Sequence, residues 1–586
     1  VRKGQDIISK DRFVALAVII ALAAPLRAGF VVQQLSSGSA NMQSRYRAHW
    51  AGDIVFRTED TTADPSTMTL YRHNGALATA LTGVGPDVDV DYSDHWQTCI
   101  LYYTREEFGP TDLFYHDGAT ATNLTNNTGR DSASFNTHWD GDIVYRELYI
   151  GGGTSADLFV HDGAVATRLT HNAVSQYSNV VAHWGSDIVY ETRYTAGSSA
   201  QDESIDLTHH DGAAPTAVTA NALGVRSRFE TTWGNRLVYR TEHYPSTSRS
   251  DREDVLVYNG ATSTNLTNNA SDQRSHYSGM WGTNIVFETE DETAVVSSLS
   301  EAVHDLYRYD GAVVTNLTNN GVAQQSEYDA EWNGVLVYHT RDDSGAVPFT
   351  DLYVHDGAAA TNLTNCPLGF NAYYVDLWGA DMVYTLLNPN GSDWAPDWTI
   401  DLYRHDGVTA TKLTNNVPGQ LLMDTTPLTD DLLYATTDYT AGWTPHVTLV
   451  DLTLHDGVSA LNLTGNAQGQ TSVFYDFVAA GGRDILYWAT ETYDATDTLV
   501  TRDLFAWSDG SLQQLTFNAP GGFSAFEYAD ASDIVWVTLL GDRSIVFRGT
   551  LTWDDEPPSP EPAVPEPATA LLLALGALGL RRRRAA

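Results

Sequence analysis

"DLYVHDGAAATNLTN" (351–365) returns almost word for word as "DLFYHDGATATNLTN" (112–126) and "DLYRHDGVTATKLTN" (401–415). A phrase that recurs along a chain describes a structural unit, and its spacing describes how the units assemble. Aligning on the Asp-Gly or Asn-Gly step places the glycine at 75, 118, 163, 212, 260, 311, 357, 407, 457 and 510. Successive copies lie 43 to 53 residues apart, in the range of solenoids and propellers.

Each copy holds four short segments. One follows a tryptophan, as in "WGSDIVYET" (184–192) and "WGTNIVFET" (281–289). The second is "DLYVHDG" and the third "ATNLTN"; the fourth carries an aromatic four residues before the next tryptophan, as in Tyr92/Trp96 and Tyr328/Trp332. The segments are short, rich in Val, Ile, Tyr and Thr, and bounded by Gly, Asn and Asp, which predicts strands. Asp-Gly and Asn-Gly suit a tight hairpin because glycine takes positive φ without steric cost. No sustained 3.6-residue apolar period occurs within 50–550, so helices are not expected there. Four antiparallel strands per repeat are the blade of an all-β propeller of about ten to eleven blades, with the tryptophans between blades.

Tryptophan is missing from the pattern after Trp378, with Thr429, Ala480 and Asp530 near the vacated positions, which places an internal boundary near 380–430. The C-terminal stretch 533–553 reads as a first and second strand with nothing after them, and 30–50 as a third and fourth with nothing before. Joined, they complete an eleventh blade and remove open sheet edges. Propellers usually have four to eight blades, so two tandem rings are favoured over one large ring. The order "NLTNN … YxxxWGxxIVY" resembles TolB-like and WD-repeat-like propellers, although the "SPDG" phrase of TolB repeats is lacking.

Both ends read as addresses. Arg2, Lys3, Lys10 and Arg12 precede the apolar run "FVALAVIIALAA" (13–24), the layout of a signal peptide over 1–28. The repeats then fill 29–555, and a Pro/Glu-rich linker (556–567) leads to a thirteen-residue apolar stretch and an Arg cluster (568–586). Thirteen helical residues reach roughly 20 Å, short of the ~30 Å hydrocarbon core. Pro565, Glu566 and Pro567, the apolar stretch, and Arg581, Arg582, Arg583 and Arg584 resemble, in order, the three parts of a PEP-CTERM sorting signal. That resemblance implies a Gram-negative bacterium and an exosortase-type processing enzyme. It also implies transient inner-membrane association before the tail is removed, and delivery to the cell surface or extracellular matrix.

The net charge of −41 argues against nucleic acid, whose phosphates need clustered Lys and Arg. The two address segments hold nine of the 33 basic residues but three of the 74 acidic ones, so their removal leaves the chain more acidic still. With two cysteines, Cys99 and Cys366, disulfides are not the main source of stability, and whether these two pair is left open.

His73, His116, His161, His210, His355, His405 and His455 all precede Asp-Gly or Asn-Gly. Occurring once per blade, and replaced by Tyr258 and Tyr309 in two copies, they read as structural residues of the turn rather than metal ligands. Asp87, Asp89, Asp91 and Asp94 form a hard-oxygen cluster and are the candidate Ca²⁺ ligands, without the spacing of an EF-hand. "NLT" at Asn123, Asn265, Asn316, Asn362 and Asn462 recurs in step with the repeat and reads as a strand end, not a glycosylation site. GxSxG, HExxH, CxxC and P-loop motifs are absent, so no catalytic residue or cofactor is assigned. The favoured expectation is an exported, non-enzymatic binding or scaffolding propeller whose ligand is a glycan or a surface protein. The alternative is a secreted polysaccharide lyase or glycosidase; a periplasmic TolB-like role sits poorly with the tail.

Overall fold

The computed structural model describes residues 28–553 except 37–40, 51, 63–65, 83–87, 107–108, 151–152, 245–251, 293–301, 390–397, 441–447, 481–482, 509, 531–532 and 542. The linker, the sorting segments and, apart from Ala28, the N-terminal address lie outside the described residues. Gln33–Arg548 form one compact unit; the other comprises Val1–Val32 and Gly549–Ala586, of which the described parts are strand ends. Among the described residues no helix is long and apolar enough to cross a membrane.

Among the described residues, forty-four strands sort into eleven quartets, the blades of a β-propeller. Blade 3 is representative: Ser132–Trp139, Asp142–Tyr149, Ser155–His161 and Ala166–Arg168 pair in chain order, each antiparallel to the last. The other quartets span 42–80, 88–123, 176–217, 225–265, 273–316, 324–362, 371–412, 420–462 and 470–514. Blade 11 joins 522–529, 533–540 and 543–553 with the N-terminal strand 28–34.

The quartets are phased differently from the expectation. The strand that ends in the tryptophan opens a blade instead of closing the previous one, because it pairs forward through the hairpin after the tryptophan: Trp96 faces Cys99 and Trp139 faces Asp142. A two-residue turn must pair its own flanks, and the positive-φ glycines Gly185, Gly234 and Gly282 make that turn. Blade 11 therefore combines three C-terminal strands with one N-terminal strand, not two with two.

Second strands are apolar run-ons because both faces are covered. In blade 3, Ile143, Val144 and Tyr145 are all buried, one side facing blade 2 and the other blade 4. Six first-strand tryptophans, Trp96, Trp139, Trp233, Trp281, Trp332 and Trp378, clasp the following blade through the indole N–H. The Trp139 indole N–H donates to Ser186 O (2.6 Å), Trp281 to Gly334 O (2.9 Å) and Trp332 to Ala380 O (2.8 Å). The rim of the same ring meets the next blade's Asp-Gly corner edge-on, as for Trp139 and His210 at 5.6 Å. A Cβ at Gly163 would sit 2.7 Å from Trp96, so this corner needs glycine for clearance as well as for its φ of +93°.

Across 380–430 the same packing continues: Trp378, Val383, Leu402, Leu422, Leu432 and Tyr434 form one cluster shared by blades 8 and 9. In blade 9 the tryptophan's place is taken by Leu428, next to Thr429, in a cluster with Leu433, Leu486 and Trp488. The last blade packs on the first. Ser544 Oγ accepts from Ser44 N (2.6 Å) and donates to Ser44 O (2.8 Å), and Leu35, Ile54, Phe56, Val535 and Val546 share a core.

Candidate functional site

First strands of neighbouring blades lie against one another in blades 1 to 5, 6 and 7, 8 and 9, and 10 and 11, which makes them the innermost strands. Each carries a one-residue register slip after its aromatic position: Tyr46/Ala48, Tyr92/Asp94, Phe229/Thr231, Tyr328/Ala330 and their counterparts in every blade. A bulge re-aims a side chain, and here it does so eleven times at one level. The bulged residues are mostly polar from blade 1 to blade 7, including Arg47, Asn136, Glu230 and Asp329. In blades 8 to 10 they are Val375, Met423 and Tyr475. The inner wall is thus polar along one arc and apolar along another.

On the polar arc, charges of opposite sign interlock, across the boundary between blades 1 and 2 and within blades 5, 6 and 7. Asp91 binds Arg47 Nε (2.6 Å) and Arg57 Nη1 (3.2 Å). Arg240 reaches Glu242 (2.8 Å), Glu230 (3.5 Å) and Glu253 (3.7 Å), while Arg228 approaches Glu242 at 3.4 Å. His276 Nε2 lies 3.1 Å from Glu288 Oε2, and His339 Nδ1 lies 3.0 Å from Asp329 Oδ1. Burial pushes the Glu191 and Glu230 carboxyls up, so each takes a proton more readily than a free glutamate. Burial alone would raise Glu288 too, but His276 and the Tyr328 N–H (3.0 Å) outweigh it and hold the group down. A separate cavity of about 330 Å³ opens between blades 4 to 6, lined by Leu223, Gly224, Val225, His243, Tyr244, Arg252 and Ser271. Arg226 stacks on its Tyr244 at 4.3 Å.

The seven turn histidines take the structural role. Each Nδ1 accepts the N–H of the following glycine at 2.9–3.1 Å, which fixes the proton on Nε2, and the rings remain one per blade. In blade 6 the Tyr309 hydroxyl donates to Gly311 O (3.0 Å) instead. The Asn of each "NLT" accepts two backbone N–H groups, as Asn123 does from Thr125 (3.0 Å) and Asn126 (2.9 Å), turning the chain at the strand end.

The aspartate cluster is dispersed by its partners. Asp89 binds Arg105 (2.6 Å), Asp91 its two arginines, and Asp94 faces histidines; Asp87 lies outside the described residues. Among the described residues no three His, Cys, Asp or Glu side chains already converge as a metal site. Cys99 and Cys366 are both free thiols. Burial pushes Cys366 up to about 12, so it is a poor nucleophile.

Cys366 stands where other repeats have asparagine. Asn269 there bridges Glu253 O and Ser275 Oγ (2.8 Å); after Cys366 the serine is Ala372, fully buried. Donor and acceptor have vanished together. Cys366→Asn alone is expected to destabilise by about 1–2 kcal/mol, and adding Ala372→Ser to recover most of it, in a denaturant double-mutant cycle.

Two features went unread in the sequence. One is the inner-wall gradient, which needs the strand order to be known. The other is "HW" at 49–50, 95–96, 138–139 and 183–184, visible as a dipeptide in four consecutive repeats.

Residues 563–585 match the family model described as the PEP-CTERM protein-sorting motif. The chain carries a PEP-CTERM sorting motif. That motif indicates an exported protein sorted to the cell surface. No curated protein matches it. Solved structures similar to parts of it include a prolyl endopeptidase (8% identity, TM-score 0.28, 59% of this chain and 54% of that one). Another is the β-propeller domain of the Trilobed protease from Pyrococcus furiosus (10%, 0.25, 56% and 97%). A third is an oligogalacturonate lyase in complex with manganese (12%, 0.24, 58% and 97%). The match thus spans about half of the prolyl endopeptidase, and at these TM-scores none of the three bears on activity.

Proposed function

We propose that this PEP-CTERM protein is a non-enzymatic binding propeller of the extracellular matrix, holding a polysaccharide along the polar arc of its inner wall. We infer that Gln33–Arg548 closes as a single eleven-bladed ring; the unbroken blade-to-blade packing and the Ser44–Ser544 contact support this. One observation carries the binding reading: within each of blades 5 to 7 the charged side chains are paired with opposite charges of the same blade. Glu242 is held by Arg228 and Arg240, Glu288 by His276, and Asp329 by His339. A carboxylate already engaged by a cation is a poor nucleophile or base, whereas a wall of alternating donors and acceptors matches the hydroxyl and carboxylate groups of a sugar chain. An exosortase-type enzyme would process the tail before the protein reaches the matrix.

The test is retention of the purified protein on matrix polysaccharide, compared with Arg240→Ala, together with analysis of the polymer afterwards. Retention that the variant loses, with the polymer uncut, is the expected result. New chain ends would overturn the reading in favour of a lyase or glycosidase. Glu191 and Glu230, two of the acids that burial keeps protonated more readily, are the residues such an enzyme would use.

A further inference from the structure

The "HW" dipeptide places His49, His95, His138 and His183 at one register of four neighbouring innermost strands, opposite Ile54, Ile100, Ile143 and Ile188. Their surroundings differ. His49 is mostly covered, its ring tilted against Tyr528 at 4.4 Å and 3.5 Å from Asp530. His183 Nε2 meets Thr137 Oγ1 at 3.0 Å. Between blades 2 and 3, however, two imidazoles share one carboxylate. His95 Nδ1 is 3.2 Å from Asp94 Oδ1, and His138 Nε2 is 3.5 Å from Asp94 Oδ2, with ring centroids 6.3 Å apart.

Asp94 differs from the aspartates before it on the same strand. Asp89 and Asp91 are neutralised by arginines; among the described residues Asp94 has no arginine or lysine partner and meets imidazoles instead. The Ser93 bulge between Tyr92 and Asp94 aims it into the gap between blades. The N–O separations, each to a different oxygen of the carboxylate, are those of ion pairs and lie close to the roughly 3.3 Å between donors bound at about 2.0–2.1 Å to one tetrahedral ion. The three donors do not yet meet at one point. Both rings are exposed, His95 to 58% and His138 to 39%, and have room to turn toward a common ion.

We propose that Asp94, His95 and His138 form a binding site for one divalent transition ion of the zinc, nickel and copper class, joining blades 2 and 3 at the inner wall. Two imidazoles and a carboxylate suit these borderline ions; calcium and magnesium prefer an all-oxygen shell.

The experiment titrates chelator-stripped protein with Zn²⁺ by calorimetry and with Cu²⁺ by electron paramagnetic resonance. One site per chain and a Cu²⁺ spectrum showing coordination by two imidazole nitrogens are expected. His95→Ala/His138→Ala is expected to weaken that site at least about tenfold, the loss typical even of residues that only orient a ligand. His183→Ala, from the same histidine row, is expected to leave it unchanged. An oxygen-only Cu²⁺ spectrum in the wild-type protein would overturn the proposal, whatever the folding of the variants. So would equal Zn²⁺ affinity in the double variant, which would mean that the ion rests on scattered surface carboxylates.

Discussion

Asp157→Ala is expected to lower stability by about 3–5 kcal/mol in equilibrium denaturation, the cost of breaking a buried ionic hydrogen-bond set from one side. Asp157 is fully buried. Its Oδ1 accepts the Thr170 hydroxyl (2.9 Å) and the Asn172 N–H (2.8 Å), and its Oδ2 takes the Arg168 guanidinium. Truncation strands the Thr170 hydroxyl and the Asn172 N–H where water cannot replace the acceptor, and leaves the exposed Arg168 guanidinium without its partner. Asp157→Asn keeps an acceptor oxygen and is expected to cost less. Equal losses in the two variants, or a loss below about 1 kcal/mol for alanine, would show that the site admits water. The same set, Asp to Thr thirteen residues on and to a backbone N–H fifteen on, recurs at Asp112, Asp254, Asp305, Asp401 and Asp451. This is why "DL" and "LTN" travel together: the aspartate that opens the phrase is bonded to its end.

The second large effect is collective and depends on pH. Burial lowers His73, His116, His161, His210, His355, His405 and His455, and it lowers His49 as well. A histidine lowered on folding binds its proton more tightly in the unfolded chain. Its contribution is therefore intact above the unfolded pKa of about 6.5 and is lost as pH falls below it. Two histidines act the other way. His276 is raised by its bond to Glu288; for His339, burial would lower the group but Asp329 outweighs it, and both favour the folded state at low pH. The lowered set prevails by number, so the melting temperature is expected to hold from about pH 8 to 7 and to fall progressively below about 6.5. A second decline below about pH 4 is expected from the turn aspartates such as Asp117, Asp356 and Asp406, held down by backbone N–H bonds. A melting temperature independent of pH between about 8 and 5 would contradict the buried neutral histidines.

The sequence announces what is local. Alternating strands, the Asp-Gly corner and the aromatic-to-tryptophan spacing depend on neighbours a few residues apart, and the structure has them where the text puts them. The blade's phase is not legible in the sequence because two tight turns per repeat offer equivalent punctuation, and only pairing across Trp96 and Cys99 tells which strand opens the sheet. The substitution of Leu428 for tryptophan, and the paired change at Cys366 and Ala372, are packing decisions taken across a blade boundary. The inner wall was the least legible part. Arg47, Glu230 and Asp329 look like ordinary surface charges until the bulge and the strand order set them at one level.

Electron cryo-microscopy of the exported chain tests the closed propeller most directly. End-on averages are expected to show one ring of eleven radial blades, the number of quartets in the chain. Two smaller rings, or an open arc with its first and last blades apart, would contradict the account.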